Sequence, residues 1–137
     1  MYYMQEGNIM NIDSFSYINV LDKAADASWN REQCITNNIA NVDTPGYKRQ
    51  DIDFQSVLQE QLGNSKYVNL DSKVKNVNLN KLDASVYTDS SNYSYREDKN
   101  NVDIETENVE LASEQIRYTG LTDSMTQEFS RLKSVMG

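Results

Sequence analysis

The chain has 137 residues, of which 38% are hydrophobic, with a mean hydropathy of −0.73 and a formal net charge of −8. This length suits one ordinary domain, but the apolar share is thin for a globular core. The acidic balance, with thirteen basic residues scattered and never three in a row, excludes nucleic acid and anionic lipid as expected partners.

Residue types narrow the chemistry further. Histidine is absent, which removes the commonest general base and zinc ligand. Cys34 is the single cysteine, so no internal disulfide can form; it reads as a small half-buried side chain within a helix. No stretch approaches 18 apolar residues. The N-terminus has neither a basic n-region nor an apolar h-region, so no cleavable secretory signal is expected. No cofactor or metal is expected.

In chain order, residues 1–12 read as a mobile N-terminal lead, polar and without period. Helical period begins near Asp13 or Ser14, either of which can cap it, and runs to about Val42. Ile18, Leu21, Ala25, Ser28, Ile35, Ile39 and Val42 follow alternating three- and four-residue steps, with Glu32 on the same seam. That is a coiled-coil spacing, and Trp29 lies beside it. Thirty such residues span about 45 Å. The sequence then dictates a stop. Pro45 fixes φ near about −65°, Thr44 before it is pushed out of the α region, and Gly46 supplies the positive φ of a type II turn.

A short second helix is expected over Asp53–Gly63. Asp53 caps it, Phe54, Val57, Leu58 and Leu62 make one stripe, and Gly63 ends it. The stretch from the first cap to this glycine, 13–63, is one N-terminal unit. Residues 64–100 are rich in Asn, Ser, Asp and Lys, with isolated Val74, Val77, Leu79 and Leu82 that fit no period. A poorly ordered middle segment with short extended pieces is expected there, including the polar and aromatic run from Ser90 to Tyr95.

From 101 to 137 the helical period returns. Asp103, Glu105, Glu107 and Glu110 load its start with negative charge, while Arg131 and Lys133 sit near its end, matching the helix dipole. Leu111, Tyr118, Leu121, Met125, Leu132 and Val135 form the seam, broadened by Phe129 and Met136, with Glu114 and Glu128 among them. Gly120 costs roughly 1 kcal/mol in a helix interior relative to alanine. Its lack of a side chain also admits a neighbouring helix closely.

The expected fold is therefore all-α. Long N- and C-terminal helices pair as an antiparallel coiled coil, a short helix follows the Pro-Gly turn, and the middle is loose. A lone pair with polar seam positions is marginal in water, so further burial is expected by assembly with other copies.

The segment Asn37-Asn38-Ile39-Ala40-Asn41-Val42-Asp43-Thr44-Pro45-Gly46-Tyr47-Lys48 resembles the N-terminal signature of bacterial flagellar rod and hook proteins. Asp51-Ile52-Asp53-Phe54 narrows the resemblance to the proximal rod branch. A second match, Asn100-Asn101-Val102-Asp103-Ile104-Glu105, leads into Ala112-Ser113-Glu114-Gln115-Ile116-Arg117-Tyr118 and looks like the start of the family's C-terminal helix. Two departures stand out: Lys99 occupies a place where the family commonly has glycine, and the histidine often found in family middle segments is missing.

The resemblance implies a structural subunit of the basal-body rod, assembling through its terminal helices into a tubular drive shaft around the export channel. It implies export across the inner membrane by the flagellar type III system without signal cleavage. The implied partners are other rod subunits and components of the membrane ring and export apparatus, with no direct lipid binding. Asn38, Asn41, Thr44, Pro45, Gly46, Tyr47, Asn101, Val102 and Asp103 form the implied assembly motif. Asn38 and Asn41 read either as ordinary helix-end residues or, as the resemblance favours, as inter-subunit hydrogen-bonding groups. The Pro45-Gly46 turn either serves its own geometry alone or also fixes the subunit's packing angle. Glu105, Glu107 and Glu110 read as a solvated face. Two other functional classes are weighed: an enzyme, for which no nucleophile–base pair is evident, and a soluble helical adaptor or export chaperone.

Overall fold

Helix-forming sequence dominates both ends of the chain, and each end folds as one long helix. The computed structural model describes residues 2–90 and 96–136, residues 2–12 by backbone only. In chain order the elements are α1 (Tyr2–Ala40), β1 (Gln50–Ile52), α2 (Phe54–Leu62), α3 (Leu70–Lys75), a 3-10 turn (Leu79–Lys81), β2 (Val86–Thr88) and α4 (Ile104–Met136).

α1 starts at Tyr2 and not at Asp13 or Ser14, so the expected mobile lead is helical from its second residue. Once a nucleus exists, each further residue adds a hydrogen bond at little extra cost, and no proline interrupts this stretch. α1 ends at Ala40. Beyond it, the Tyr47 N–H donates to the Thr44 carbonyl at 3.2 Å, closing a turn in which Gly46 has φ 73°. Asp53 caps α2 by accepting from the Ser56 N–H at 3.0 Å, and the Gly63 N–H bonds the Gln59 carbonyl at its end. Asp103 caps α4 through the Glu105 N–H at 3.1 Å.

α1 and α4 lie side by side and antiparallel. Asn38 bonds Glu107, Arg31 bonds Glu114 and Trp29 stacks on Tyr118, so partner numbers rise on α4 as they fall on α1. Between the helices, Ile18, Ala25, Ser28 and Ile35 of α1 are buried, and Leu21 and Ile39 are half-buried. On α4, Leu132 is buried; Leu111, Tyr118, Leu121 and Met125 are half-buried; Val135 is exposed.

The middle segment is not the poorly ordered loop its composition predicts. Over its described residues, 64–90 and 96–100, it forms α3, the 3-10 turn and β2; the run 91–95 lies outside the described residues. Local caps start the short elements: Asn69 accepts from the Ser72 N–H at 2.9 Å, and Asn78 from the Asn80 N–H at 3.1 Å. Each element then gives α1 one apolar side chain. Val74 and Leu82 are buried with Val20, and Tyr17, Phe54, Val57 and Leu58 close around them. Burying an aliphatic side chain of this size stabilises by about 1.5–3 kcal/mol, enough to hold a short capped element. Tyr17 donates to Asp71 at 2.5 Å, and burial together with this carboxylate pushes its phenol up to about 12. β2 pairs antiparallel with β1, with Asp51 opposite Tyr87. Over the described residues the fold is thus mostly helical, with one two-stranded sheet that sits beside the C-terminal half of α1.

Candidate assembly site: a polar clasp between two signature segments

Two segments that look separate in the sequence meet in one cluster. Asn38, in the last turn of α1, has no exposed surface. Its Oδ1 accepts from the Gln50 N–H at 2.8 Å and from the Tyr47 hydroxyl at 3.1 Å. Its Nδ2 donates to the Gln50 carbonyl at 2.8 Å and to Glu107 Oε2 at 3.2 Å. One side chain therefore joins the end of α1, the turn, β1 and the start of α4.

Asn100 plays the reciprocal part from the second segment. It too is fully buried, and its Nδ2 donates to the carbonyls of Asn41 at 2.8 Å, Val42 at 3.1 Å and Thr44 at 2.8 Å. These carbonyls follow the last turn of α1 and have no helical donor of their own. Asn101 accepts from the Arg49 N–H at 2.7 Å and donates to the Asp89 carbonyl at 2.8 Å. Val102 is buried beside them, and the Gly46 N–H donates to the Asp98 carbonyl at 2.6 Å. The lead-in to α4 turns at Lys99, whose φ of 60° makes it the non-glycine residue in the left-handed region among the described residues.

Two arginines tie the clasp to the helix pair. Arg31 reaches Asp51 at 2.8 Å, Glu110 at 2.8 Å and Glu114 at 2.7 Å; Arg49 reaches Glu107 at 2.6 Å, Asp51 at 3.2 Å and Asp89 at 3.3 Å. Glu107 and Glu114 are each 1% exposed. Burial disfavours the charge on Arg31, yet its bonds to Asp51, Glu114 and Glu110 outweigh that and hold it firmly protonated. Burial likewise works against ionised Asp51. The Arg31 hydrogen bond, the Ile52 N–H and both arginine charges prevail and keep its carboxyl below the ordinary aspartate range. Burial pushes the nearby Cys34 thiol and Tyr47 phenol up.

Several sequence expectations change here. Asn38 bonds only within its own subunit, because a side chain with no exposed surface cannot reach a neighbour. Asn41 is half-buried, and although its Nδ2 donates to the Asn37 carbonyl at 2.8 Å and its Oδ1 accepts from Thr44 at 3.1 Å, its reading as an inter-subunit group is unchanged. Glu107 is not part of a solvated face but a buried ion-pair partner, and Glu110 is half-buried against Arg31; Glu105 is exposed. Tyr47, Asn101, Val102 and Asp103 are brought together with Asn38, while Thr44, Pro45 and Gly46 form the exposed rim of the same cluster. The roles of Arg31, Arg49 and Asp51 carry no local signal, since their partners lie up to 83 positions away. Asp51, Asp89, Glu107, Glu110 and Glu114 each bond an arginine while Asp103 caps α4, an arrangement that ties the two long helices together.

Residues 29–48, from Trp29 through the clasp to Lys48, match the family model described as "Flagella basal body rod protein". Among curated proteins the chain is similar to the flagellar basal body rod protein FlgB of Bacillus subtilis (strain 168), 36% identical over 77% of this chain and 81% of that one. It is similar to the protein of the same name from Borrelia hermsii, 31% identical over 93% and 99% of the two chains. The Aquifex aeolicus protein of that name is 28% identical over 78% and 82%.

Proposed function

The chain belongs to the FlgB family of flagellar basal-body rod proteins and is a structural rod subunit; from that premise we propose that the clasped α1–α4 pair is the building block of the tube. The pair assembles as a coiled coil through its terminal helices with other rod subunits and with components of the membrane ring and export apparatus. The resulting shaft transmits torque and encloses the export channel. The subunit reaches it unfolded through the flagellar type III system, without a cleaved signal, and works without catalysis.

The observation that carries this reading is the contrast between the two sides of the molecule. Asn38, Asn100, Arg31 and Arg49 lock the helix ends together inside the subunit. Meanwhile α4 leaves Val109, Ile116 and Phe129 open at 64%, 75% and 52% exposure. A shaft needs both properties: stiff units that do not shear under load, and uncovered apolar surface for neighbours. Pro45-Gly46, on the clasp's rim, sets the angle at which β1 and α2 leave the pair.

The test is Ile39→Asp or Leu121→Asp, each placing a charge between the helices. Basal bodies isolated from cells expressing either variant should lack the subunit and end before the distal rod. Normal motility would refute the reading.

A further inference from the structure

The side of α4 turned away from α1 follows three- and four-residue steps through Glu105, Val109, Ala112, Ile116, Thr119 and Asp123, all of them exposed. Aliphatic side chains hold the middle of this stripe, and a carboxylate stands at each end. Among the described residues neither carboxylate has an ion-pair partner. The one base between them in the sequence, Arg117, turns aside to Glu114 at 3.3 Å.

A second uncovered surface lies on the middle segment. Tyr67 is 99% exposed, with Val68 at 43% and Leu70 at 58% beside it. Local bonds hold the backbone under them: the Tyr67 N–H donates to Ser65 Oγ at 3.3 Å, and Asn69 caps α3. An ordered support thus holds an aromatic ring out in solvent, which lowers the entropy cost of burying it against a partner. The same segment is the basic part of an acidic chain. From Glu60 to Leu82 four lysines, at 66, 73, 75 and 81, stand against two acids, Glu60 and Asp71, a balance of +2 in a chain of −8. Lys66 and Lys75 are exposed and have no ion-pair partner among the described residues, while Asp71 is engaged by the Tyr17 hydroxyl.

We propose that this basic patch of one subunit, led by Tyr67, docks on the outward stripe of α4 in a second copy of the chain. The inference rests on the reading as a rod subunit and names a contact that the rod uses. Charge selects the occupant: Lys66 and Lys75 flank Tyr67, Val68 and Leu70, while Glu105 and Asp123 flank Val109, Ala112 and Ile116. Each surface thus offers apolar area ringed by the sign that the other lacks, and opposed charges of this kind orient a contact and exclude wrong partners. The two surfaces cannot cover each other within one molecule. The Tyr17–Asp71 bond sets α3 beside residue 17 of α1, whereas the Trp29–Tyr118 and Asn38–Glu107 contacts set Ile116 and Val109 beside residues 29–38. At 1.5 Å per residue that is roughly 20–30 Å farther along the pair. The contact therefore joins different patches of different copies. Such a heterologous contact repeats from copy to copy, as a ring or helical tube requires.

The test uses full-length chain with Cys34→Ala, in two variants. Asn64→Cys marks the basic patch and Ser113→Cys marks the stripe; both positions are exposed. Under mild oxidation of the mixed chains, the disulfide between the two variants should exceed either homodimer. Tyr67→Ala on the Asn64→Cys chain should lower the mixed yield about tenfold, as loss of an aromatic anchor does. Lys66→Glu with Lys75→Glu on that chain should also lower it, and Glu105→Lys with Asp123→Lys on the Ser113→Cys chain should then restore it, since the charges oppose again. Dominant homodimers, a yield indifferent to Tyr67→Ala, or no rescue by the reversed charges overturns the contact. Where a reversed chain lacks the parent's helix content by circular dichroism, Tyr67→Ala decides alone. Vesicles of phosphatidylcholine and phosphatidylserine offer the competing occupant: chain that sediments with them through Lys66 and Lys75, but gives no mixed disulfide, overturns the contact. Incorporation of the parent chain into basal bodies is scored separately. A parent that enters the rod, with no mixed disulfide between the variants, overturns the contact alone. A parent excluded from the rod, with the mixed disulfide formed, supports the contact and sinks the rod reading.

Discussion

Asn38 Nδ2 lies 3.2 Å from Glu107 Oε2, and this contact spans 69 positions of sequence to join the end of α1 to the start of α4. Both side chains are essentially without exposure. The carboxylate has Arg49 on its other oxygen, and the amide has both polar groups of Gln50, so neither residue has a spare alternative.

Asn38→Asp tests that relationship with almost no change of shape. It replaces a donor facing Glu107 with a second carboxylate and deprives the Gln50 carbonyl of its partner. A loss of about 3 kcal/mol or more in unfolding free energy is expected, since an unpaired buried charge adds to an unmade hydrogen bond. Urea titration of the two proteins measures it. A midpoint within error of the parent would show that the clasp does not hold the helices.

Arg31→Met removes the cation shared by Asp51, Glu110 and Glu114 while keeping an extended apolar stem. Asp51 keeps Arg49 and Glu114 keeps Arg117, so the expected loss is that of charge-assisted hydrogen bonds, about 1.5–3 kcal/mol. The companion variant Lys23→Met breaks only the more exposed pair with Asp83 and should cost less than about 1 kcal/mol. Equal losses for the two would mean that burial of the Arg31 network contributes nothing.

Acid should weaken the clasp in a defined window. The Asp51 carboxyl is held below its ordinary value in the folded chain, so its contribution to stability is fully present above the unfolded aspartate value of about 3.9. That contribution is lost as pH falls below about 4 and the folded carboxyl takes up its proton. Thermal midpoints between pH 7 and pH 3 should therefore drop most steeply at the acid end. Asp51→Asn should be less stable at neutral pH and show a shallower acid slope; a parallel slope would exclude Asp51 as a contributor.

Lys99 holds a φ of 60°, where an L side chain crowds its own backbone. Lys99→Gly should raise stability by about 1 kcal/mol, after the greater freedom glycine gains in the unfolded chain. The bond from the Lys48 ammonium to the Lys99 carbonyl survives, because at residue 99 it uses only the backbone. A lower thermal midpoint for the variant would show that the lysine side chain has a role the strain conceals.

Gly120 has open space where a Cβ would stand, so within the subunit Gly120→Ala should add about 1 kcal/mol of helix stability. Chemical denaturation of the isolated chain reads this directly. If the same variant enters basal bodies poorly, the missing side chain serves a neighbour and not the fold.

What the sequence determined alone was local. Pro45 and Gly46 shape the turn that follows α1 because proline restricts the residue before it and glycine tolerates positive φ. Asp53 and Asp103 start α2 and α4 because a short carboxylate satisfies free N–H groups. Three- and four-residue spacing marked both ends of the chain as long helices, because helical period is written in neighbouring residues. The tertiary structure decided everything that depends on partners far apart in the chain. Glu107 reads as a solvated first-turn acid until Arg49, 58 positions away, meets it in the interior. The middle segment reads as loose until α1 offers Val20 as a common surface for Val74 and Leu82. Asn38 reads as a helix-end residue open to a neighbour until Gln50 and Glu107 close over it. Local rules act through the backbone of a few adjacent residues. Burial and ion pairing depend on which distant side chains the fold brings within a few ångströms, and no spacing in the sequence records that.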